Sequence, residues 1–503
     1  MHHYCKSLES RDTKMKKLKI LFIASEVAPF AKSGGLADVA SALPQALKKM
    51  GHDVRVVMPR YYIVDKSNLT PLIGEIGVPM GSMGEAWASV FEGRLGDVPI
   101  YFIEHEHFFG RRGLYGDGGF SFTDNDNRFI FFTRASMQLA KKLHFKLDIL
   151  HANDWHTAVA PLFLNTHYKY DEVYENCVSV FTIHNIQHQG QFYKGVMDVL
   201  DVGWHHFNHH DLEEHDGVNL LKSAIVHADA VTTVSNKYAQ EIKTSEFGCG
   251  LQNTILNHSN KLYGILNGVD YNEWSPAVDG LIASNYDVKN MKGKAVCKKD
   301  LQKEFGLKQT NRVPIIGFVG RLVEQKGIDL IASSIFELLK LDIQIVLLGT
   351  GEYWAEHFFS DISAKYSDKF ACYIGYRNDL AHKIEAGSDF FLMPSNFEPC
   401  GLNQIYSLRY GTLPIVCATG GLDDTIENYD DYSGDGTGFK FYDATSMALI
   451  NTVGWAVDTW YNNQKAMKKL IENAMSKHFS WEDAAASYTD IYELALAKRI
   501  GKL

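Results

Sequence analysis

Short apolar runs bounded by polar turns recur along the chain, and their spacing predicts alternating strands and helices. The first run, Lys19 to Ser25 (KILFIAS), is apolar throughout its middle and reads as a parallel strand buried on both faces. A loop through Lys32-Ser33-Gly34-Gly35 follows, and then Leu36, Val39, Ala40, Leu43 and Leu47 fall at helical spacing. Gly51-His52 stops that helix, and Asp53 to Pro59 (DVRVVMP) forms the next strand, completing a βαβ unit. Runs of the same kind lie at 98–104, 148–153, 179–185 and 230–235, with helical segments at 127–143 and 157–168. The pattern pauses at 263–270 (YGILNGVD), and a polar stretch runs on to about Asn311. A second series of strands then occupies 313–320, 343–349, 371–375, 389–395 and 413–418, and 448–499 reads as mostly helical.

The pattern predicts an α/β chain made of two consecutive doubly wound, Rossmann-like domains, with a boundary near 255–275. The expected division is a loose tail at 1–17, a first domain at 18–262 and a second from 263 to 478. No short repeat is visible, which argues against a solenoid. Two such halves leave a cleft between the carboxyl ends of two parallel sheets, where open α/β sheets bind ligands. The loops that follow strands are therefore the places to look for chemistry.

Composition narrows the function classes. The 503 residues are 46% hydrophobic and 22% charged, without low-complexity tracts, which excludes a disordered chain. Lys+Arg 50 against Asp+Glu 60 gives a net charge of -10, and the only basic tract is Lys14 to Lys19. That balance argues against a nucleic-acid partner. The cysteines, at 5, 177, 249, 297, 372, 400 and 417, are scattered and odd in number, so neither a disulfide framework nor a zinc ribbon is expected. No apolar run approaches the ~18 residues of a membrane span. Leu18 to Ala24 imitates a signal peptide, but Glu26 and Pro29 interrupt it and a strand fits better. The cytoplasm is the expected address.

Several loops carry candidate chemistry. In Lys32-Ser33-Gly34-Gly35-Leu36-Ala37-Asp38, two glycines let backbone amides approach an anion, the helix start adds a favourable dipole and Lys32 adds a charge. The loop is neither a G-x-G-x-x-G nor a Walker sequence, and as a bland alternative it is a tight turn. His156 and His184 both end strands, where a histidine is commonly structural. His205, His206, His209 and His210 cluster, but no carboxylate or cysteine spacing completes a recognisable metal site, so a solvated loop is expected there. Arg321 and Lys326 follow the strand at 313–320. A rigid guanidinium fork and a mobile ammonium suit a diphosphate, with solvated loop charges as the alternative. Pro394 to Leu402, which contains Glu398, and Thr419-Gly420-Gly421-Leu422 are small-residue loops between a strand and a helix. Together these loops point to a two-domain enzyme that grips an anionic, nucleotide-linked substrate.

These segments, taken in order, resemble the bacterial glycogen synthase and plant starch synthase family, retaining glucosyltransferases with the GT-B fold. The resemblance runs from about Lys19 to about Tyr492. It rests on Lys32 to Asp38, Asp154-Trp155-His156, Phe181 to Asn185, Gly264 to Asp270, Gly320-Arg321-Leu322, Gln325-Lys326-Gly327, Glu398-Pro399-Cys400-Gly401-Leu402, Thr419 to Leu422 and Phe479-Ser480-Trp481-Glu482. The last matches the family's closing helix, so the resemblance implies that 479–503 returns to the first domain.

It further implies transfer of glucose from a nucleotide diphosphate glucose, with ADP-glucose favoured and UDP-glucose as the alternative, to the non-reducing 4-hydroxyl end of an α-1,4-glucan such as glycogen, with retention. No metal and no cofactor are implied. By the resemblance, Arg321 and Lys326 hold the diphosphate, His184 holds the glucosyl unit near its reacting face, and Glu398 binds sugar hydroxyls. Lys32, Gly34, Gly35, Asn267, Tyr376, Cys400, Gly401, Leu402, Thr419, Gly420 and Gly421 are implied donor contacts. Asp38, Asp154, Trp155 and Asn185 are implied to position the acceptor. Three positions depart from the pattern: Tyr406 stands where many relatives carry a second Glu, and Asn396 and Cys417 stand where Arg is frequent. Tyr376 would stack on either base, which leaves the donor open between ADP-glucose and UDP-glucose. Competing readings are another GT-B transferase with a small acceptor, a glucan-binding protein with weak catalysis, and a hydride-transferring Rossmann enzyme, which lacks its glycine fingerprint.

Overall fold

The computed structural model describes residues 16–72 and 74–501, so the expected tail at 1–17 lies almost wholly outside the described residues. The chain forms two compact units. The first comprises the described residues up to Phe181, His188–Ala230 and the segment from Thr489, and the second comprises Thr182–Gln187 and Val231–Tyr488.

In the first unit the buried run at the start of the chain forms β1 (Lys19–Ile23), followed by α1 (Gly35–Lys49) and β2 (Asp53–Pro59). β3 (Glu85–Leu95), β4 (Val98–Glu104), α2 (Asn125–Lys142), β5 (Ile149–Asn153), β6 (Val178–Ile183) and α3 (Leu220–His227) follow. The strands lie in the order β6-β5-β1-β2-β4-β3. β1 is parallel to β2 (Ile20 opposite Val54) and to β5 (Ile20 opposite Ile149). The apolar positions spaced along α1 are the ones it buries, Leu36, Val39, Ala40, Leu43 and Leu47.

β3 escapes a search for apolar runs because one of its faces is wet and its burial alternates. It pairs antiparallel with β4, from Ser89 opposite Glu104 to Leu95 opposite Val98. The helix expected over 157–168 is shorter, Ala160–Asn165, after a one-turn 3-10 segment at Trp155–Thr157. Thr157 causes this start: its hydroxyl donates to Asn153 O at 2.8 Å and accepts from Asn153 N at 2.6 Å, which holds a tight turn rather than a helix.

The second unit contains β7 (Ala230–Thr233), α4 (Asn236–Glu241) and β8 (Leu262–Gly264), with β7 and β8 parallel. α5 (Lys292–Glu304) lies within the stretch read as polar; it buries only a narrow strip that includes Cys297 and Leu301, and so shows little apolar periodicity. Then come β9 (Ile315–Val319), α6 (Ile328–Leu338), β10 (Gln344–Gly349), β11 (Phe370–Ile374), α7 (Asn378–Gly387) and β12 (Phe390–Met393). α8 (Asn403–Tyr410), β13 (Leu413–Cys417), α9 (Gly420–Thr425), β14 (Phe439–Phe441), α10 (Ser446–Asn462), α11 (Gln464–Ser476) and α12 (Trp481–Arg499) complete the chain. The all-parallel sheet has the order β11-β10-β9-β12-β13-β14. Its strands form the centre of one apolar core, with Ile315, Val346, Phe390 and Ile415 fully buried.

Strand order reverses between β9 and β12, and in the first unit between β1 and β5. Such switch points leave a crevice at the carboxyl ends of the strands, which is where open α/β sheets take ligands. No helix among the described residues is long and apolar enough to cross a membrane.

Candidate active site

The switch point of the second unit is lined by the loops after β9 and β12. The first carries Arg321 and Lys326, and the second carries Glu398. Gly327 joins them: its φ is 70°, and a Cβ there would stand 2.0 Å from Pro394 O. Only glycine combines that left-handed backbone with that approach. Asn396 donates two hydrogen bonds across to the other loop, from its N to Gln325 O at 3.0 Å and from its Nδ2 to Glu324 O at 2.9 Å. Asn396, one of the departures from the family pattern, thus splices the two loops. The Lys326 ammonium pairs with Glu398 Oε2, which also accepts from Ser395 Oγ at 3.2 Å. Glu398 is buried, whereas Arg321 is exposed and donates to Gln325 Oε1 at 3.1 Å.

The loop after β13 lies against the backbone of Glu398 to Cys400. A Cβ on Gly420 (φ 44°) would stand 2.1 Å from Glu398 O, and one on Gly421 1.9 Å from Cys400 O. Their amides were expected to meet the diphosphate, but both are already used. Gly420 N donates to Glu241 Oε1 at 3.0 Å, and Gly421 N donates to Glu398 O at 3.0 Å. Thr419 Oγ1 also donates to Glu241, at 3.2 Å. Glu241, on α4, is a residue that sequence reading missed; burial pushes its carboxyl pKa up, and the Gly420 amide and Thr419 hydroxyl oppose that shift. The nearby start of α8 follows Gly401 and Leu402, and no side chain among the described residues caps it. A helix leaves its first amides without intrahelical partners, so this terminus suits an anion.

Cys400 is buried, and burial pushes its thiol pKa up to about 12, so it is a neutral packing group. The amide oxygen of buried Asn267 has no hydrogen-bond partner among the described residues. Tyr376 follows β11 and is 77% exposed.

Thr182–Gln187 belongs to the same unit and holds His184 and Asn185. Thr182 and Thr232 hydroxyls meet at 2.7 Å, Thr233 Oγ1 donates to Ile183 O at 2.8 Å, and Ile186 N donates to Tyr238 OH at 3.1 Å. Asn185 Oδ1 accepts from Gln187 N at 3.0 Å, so its side chain shapes its own turn. Desolvation pulls the His184 pKa down to about 3, which makes it a neutral imidazole at pH 7.

At the switch point of the first unit, the amides expected to cradle an anion are again taken by a carboxylate. Buried Glu26 accepts from Ser33 N, from Ser33 Oγ at 2.6 Å, from Gly34 N at 3.2 Å and from Tyr115 OH at 2.5 Å. Lys32 Nζ pairs with Asp38 Oδ1 at 2.7 Å, and both side chains remain partly exposed. Asp154 follows β5 with a positive φ of 53°. Trp155 packs on Gly190, where a Cβ would approach its ring within 2.6 Å. His156 stacks on Tyr115 at 4.5 Å between ring centres, and burial lowers its pKa well below the usual value. This agrees with the structural reading of that histidine.

The histidine-rich loop departs from its expected solvation at one residue. His205, His209 and His210 are exposed, but His206 Nδ1 lies 2.6 Å from Asp211 Oδ2 and His227 Nε2 lies 2.9 Å from Asp211 Oδ1. The carboxylate was next door in sequence; the third partner comes from the far end of α3.

The starch synthase catalytic domain family matches residues 19–257, and glycosyl transferases group 1 matches residues 299–477. Glycogen synthase 1 of Geobacter metallireducens is 54% identical over 492 residues, 97% of this chain and 98% of that protein. Glycogen synthase 1 of Geobacter sulfurreducens is 54% identical over 491 residues, 97% of this chain and 98% of that protein. Among solved structures, the catalytic domain of starch synthase IV from Arabidopsis thaliana, bound to ADP and acarbose, is 33% identical with a TM-score of 0.88. The match covers 96% of this chain and all of that one. The sucrose-phosphate synthase of Thermosynechococcus elongatus, 16% identical with a TM-score of 0.59 over 95% of this chain and 99% of that one, shows a likeness of fold alone.

Proposed function

The chain belongs to the family of bacterial glycogen synthases and plant starch synthases, and from that premise we propose that it uses ADP-glucose as donor and retains the anomeric configuration. It is a glycosyltransferase of the GT-B fold, and its reaction is glucosyl transfer in glycogen synthesis. The proposed acceptor is the 4-hydroxyl at the non-reducing end of an α-1,4-glucan. ADP is favoured over UDP by the ADP-bound starch synthase relative. A nucleotide-sugar donor also suits the cytoplasmic address proposed from the sequence.

The observation that carries this reading is the cationic loop at the second unit's switch point, with Lys326 held on the buried carboxylate of Glu398. The difficult moment in the transfer is departure of the diphosphate while positive charge develops on the sugar. Preorganised donors aimed at developing charge usually supply the largest catalytic effect. We assign Arg321, Lys326 and the start of α8 at Gly401-Leu402 to the leaving diphosphate. Glu398 is assigned to sugar hydroxyls, sharing Lys326 with the phosphate once donor is bound. A neutral His184 fits a place beside the reacting sugar, because an imidazolium there would repel the developing positive charge. Asn267, whose buried amide oxygen lacks a hydrogen-bond partner among the described residues, is assigned to a donor hydroxyl. Lys32, Asp38, Asp154, Trp155 and Asn185 are assigned to substrate positioning, and Tyr376 to the base.

Incubating the protein with glycogen and either ADP-glucose or UDP-glucose, and measuring released nucleotide, tests the donor. Higher kcat/KM with UDP-glucose would reverse the assignment. The stereochemistry is read by digesting the product with an enzyme specific for α-1,4 linkages; a resistant product would exclude retention.

A further inference from the structure

The segment from Asp201 to Leu212 is a tightly turned loop carrying several imidazoles. His206 N donates to Gly203 O at 3.1 Å, Asn208 N to His206 O at 3.0 Å, Asp211 N to Asn208 O at 3.0 Å and Leu212 N to His206 O at 3.2 Å. This backbone brings His206 and Asp211 to one side of the turn. α3, capped at its start by Asn219 accepting from Lys222 N at 3.0 Å, delivers His227 from its last residue. The three side chains are 16%, 11% and 15% exposed, and one ligand atom from each lies within 4.8 Å of the others.

Two imidazoles and one carboxylate form a donor set typical of zinc and its first-row neighbours. A tetrahedral ion with bonds of ~2.0–2.1 Å spaces its ligand atoms roughly 3.3 Å apart. The two nitrogen–carboxylate spacings here, 2.6 and 2.9 Å, fall short of that by under 1 Å, and all three ligand atoms lie within 4.8 Å of one another, so the set has to open slightly to take an ion. A fourth position falls to water, since the side chains keep some exposure.

We propose that His206 Nδ1, His227 Nε2 and the Asp211 carboxylate form a site for a divalent transition-metal ion of the Zn2+ class, which staples the 201–212 loop to the carboxyl end of α3. Coordination uses the lone pairs of these two nitrogens, so each ring keeps its proton on its other nitrogen. The carboxylate stops accepting the imidazole hydrogens and becomes a ligand. The site is structural and takes no part in glucosyl transfer. The competing arrangement is a carboxylate that simply accepts two imidazole N–H bonds and holds no ion.

The full chain, stripped with chelator, is titrated with Zn2+ in competition with a chromophoric chelator, and in parallel with Co2+, whose visible absorption reports tetrahedral nitrogen and oxygen ligands. The expected result is about one tight equivalent, a Co2+ spectrum of tetrahedral intensity and a raised melting temperature with Zn2+. Loss of an outer-shell partner alone costs about 10- to 100-fold in metal affinity, so His206→Gln and His227→Gln should each weaken Zn2+ by at least ~100-fold. His209→Gln, at an exposed neighbour, should leave the affinity unchanged. If His227→Gln does not fold, His206→Gln in the loop decides. Absence of a tight equivalent in the parent protein, or affinity unaltered by His206→Gln, would overturn the site.

Discussion

Lys326 rests its ammonium on the buried carboxylate of Glu398, 72 positions further along the chain. The pair joins two loops at adjacent strand ends, and it gives the proposed diphosphate clamp a distinctive mutational signature. Lys326→Ala and Arg321→Ala should each lower kcat by ~100- to 1000-fold at saturating donor, the scale of one lost transition-state donor. Stability separates the two variants. Removing Lys326 strands a buried carboxylate, so that variant should melt lower, whereas exposed Arg321 should leave the melting temperature nearly unchanged. Lys326→Arg should recover only part of the rate, because a planar fork does not replace a compact ammonium. Steady-state kinetics with varied donor, alongside thermal melts, check each point; normal kcat in both alanine variants would remove the clamp.

Two glycines of similar appearance in sequence should respond in opposite ways. Gly34 has an extended backbone (φ -151°), and no atom of the described residues lies within 4 Å of where a Cβ would go. Gly34→Ala should fold with near-parental stability. At Gly421 the added Cβ would lie 1.9 Å from Cys400 O. Gly421→Ala should cost more than ~3 kcal/mol or prevent folding, because a backbone clash cannot be relieved by turning a side chain. Urea unfolding of both variants measures this contrast; equal stabilities would contradict it.

Cys400→Ser should keep most of its turnover. Burial raises the thiol pKa to about 12, so the thiolate needed by a nucleophile is scarce at neutral pH. Alkylation of this cysteine in the folded protein should accordingly be slow. Complete loss of turnover in a folded, donor-binding Cys400→Ser protein would show that the thiol has a chemical role.

A pH dependence of stability should trace to Glu385. Its carboxyl is fully buried, accepts from Ser407 Oγ at 2.7 Å and has its pKa raised from 4.5 to about 8 by that burial. Between those two values the folded state binds more protons here than the unfolded state does. This residue's contribution to stability therefore falls as pH rises from 4.5 through about 8. Glu385→Gln keeps the shape without the proton, so its melting temperature should gain on the parent across that window. The full difference is on the order of a few kcal/mol. A pH-independent offset between the two proteins would show that Glu385 titrates alike in the folded and unfolded states.

The amino-acid sequence was sufficient for the alternation of strands and helices, the two-part chain and the loops that carry motifs, because each depends on near neighbours. An apolar run such as Lys19–Ile23 is buried on both faces wherever it lies in a parallel sheet, and the spacing of Leu36, Val39, Leu43 and Leu47 marks one helix face without reference to anything else. β3 was hidden because alternation on a half-wet strand is a weaker signal than a continuous run. Tertiary structure alone decided what each loop's polar groups do. The glycine-rich loops around Ser33 and Gly420 advertise free amides in sequence, but Glu26 and Glu241 fold in and occupy them. Glu241 comes from 179 positions before Gly420, and His227 reaches Asp211 only because α3 spans the gap. A carboxylate acts over a few ångströms of space, and distance along the chain does not predict which groups the fold brings that close.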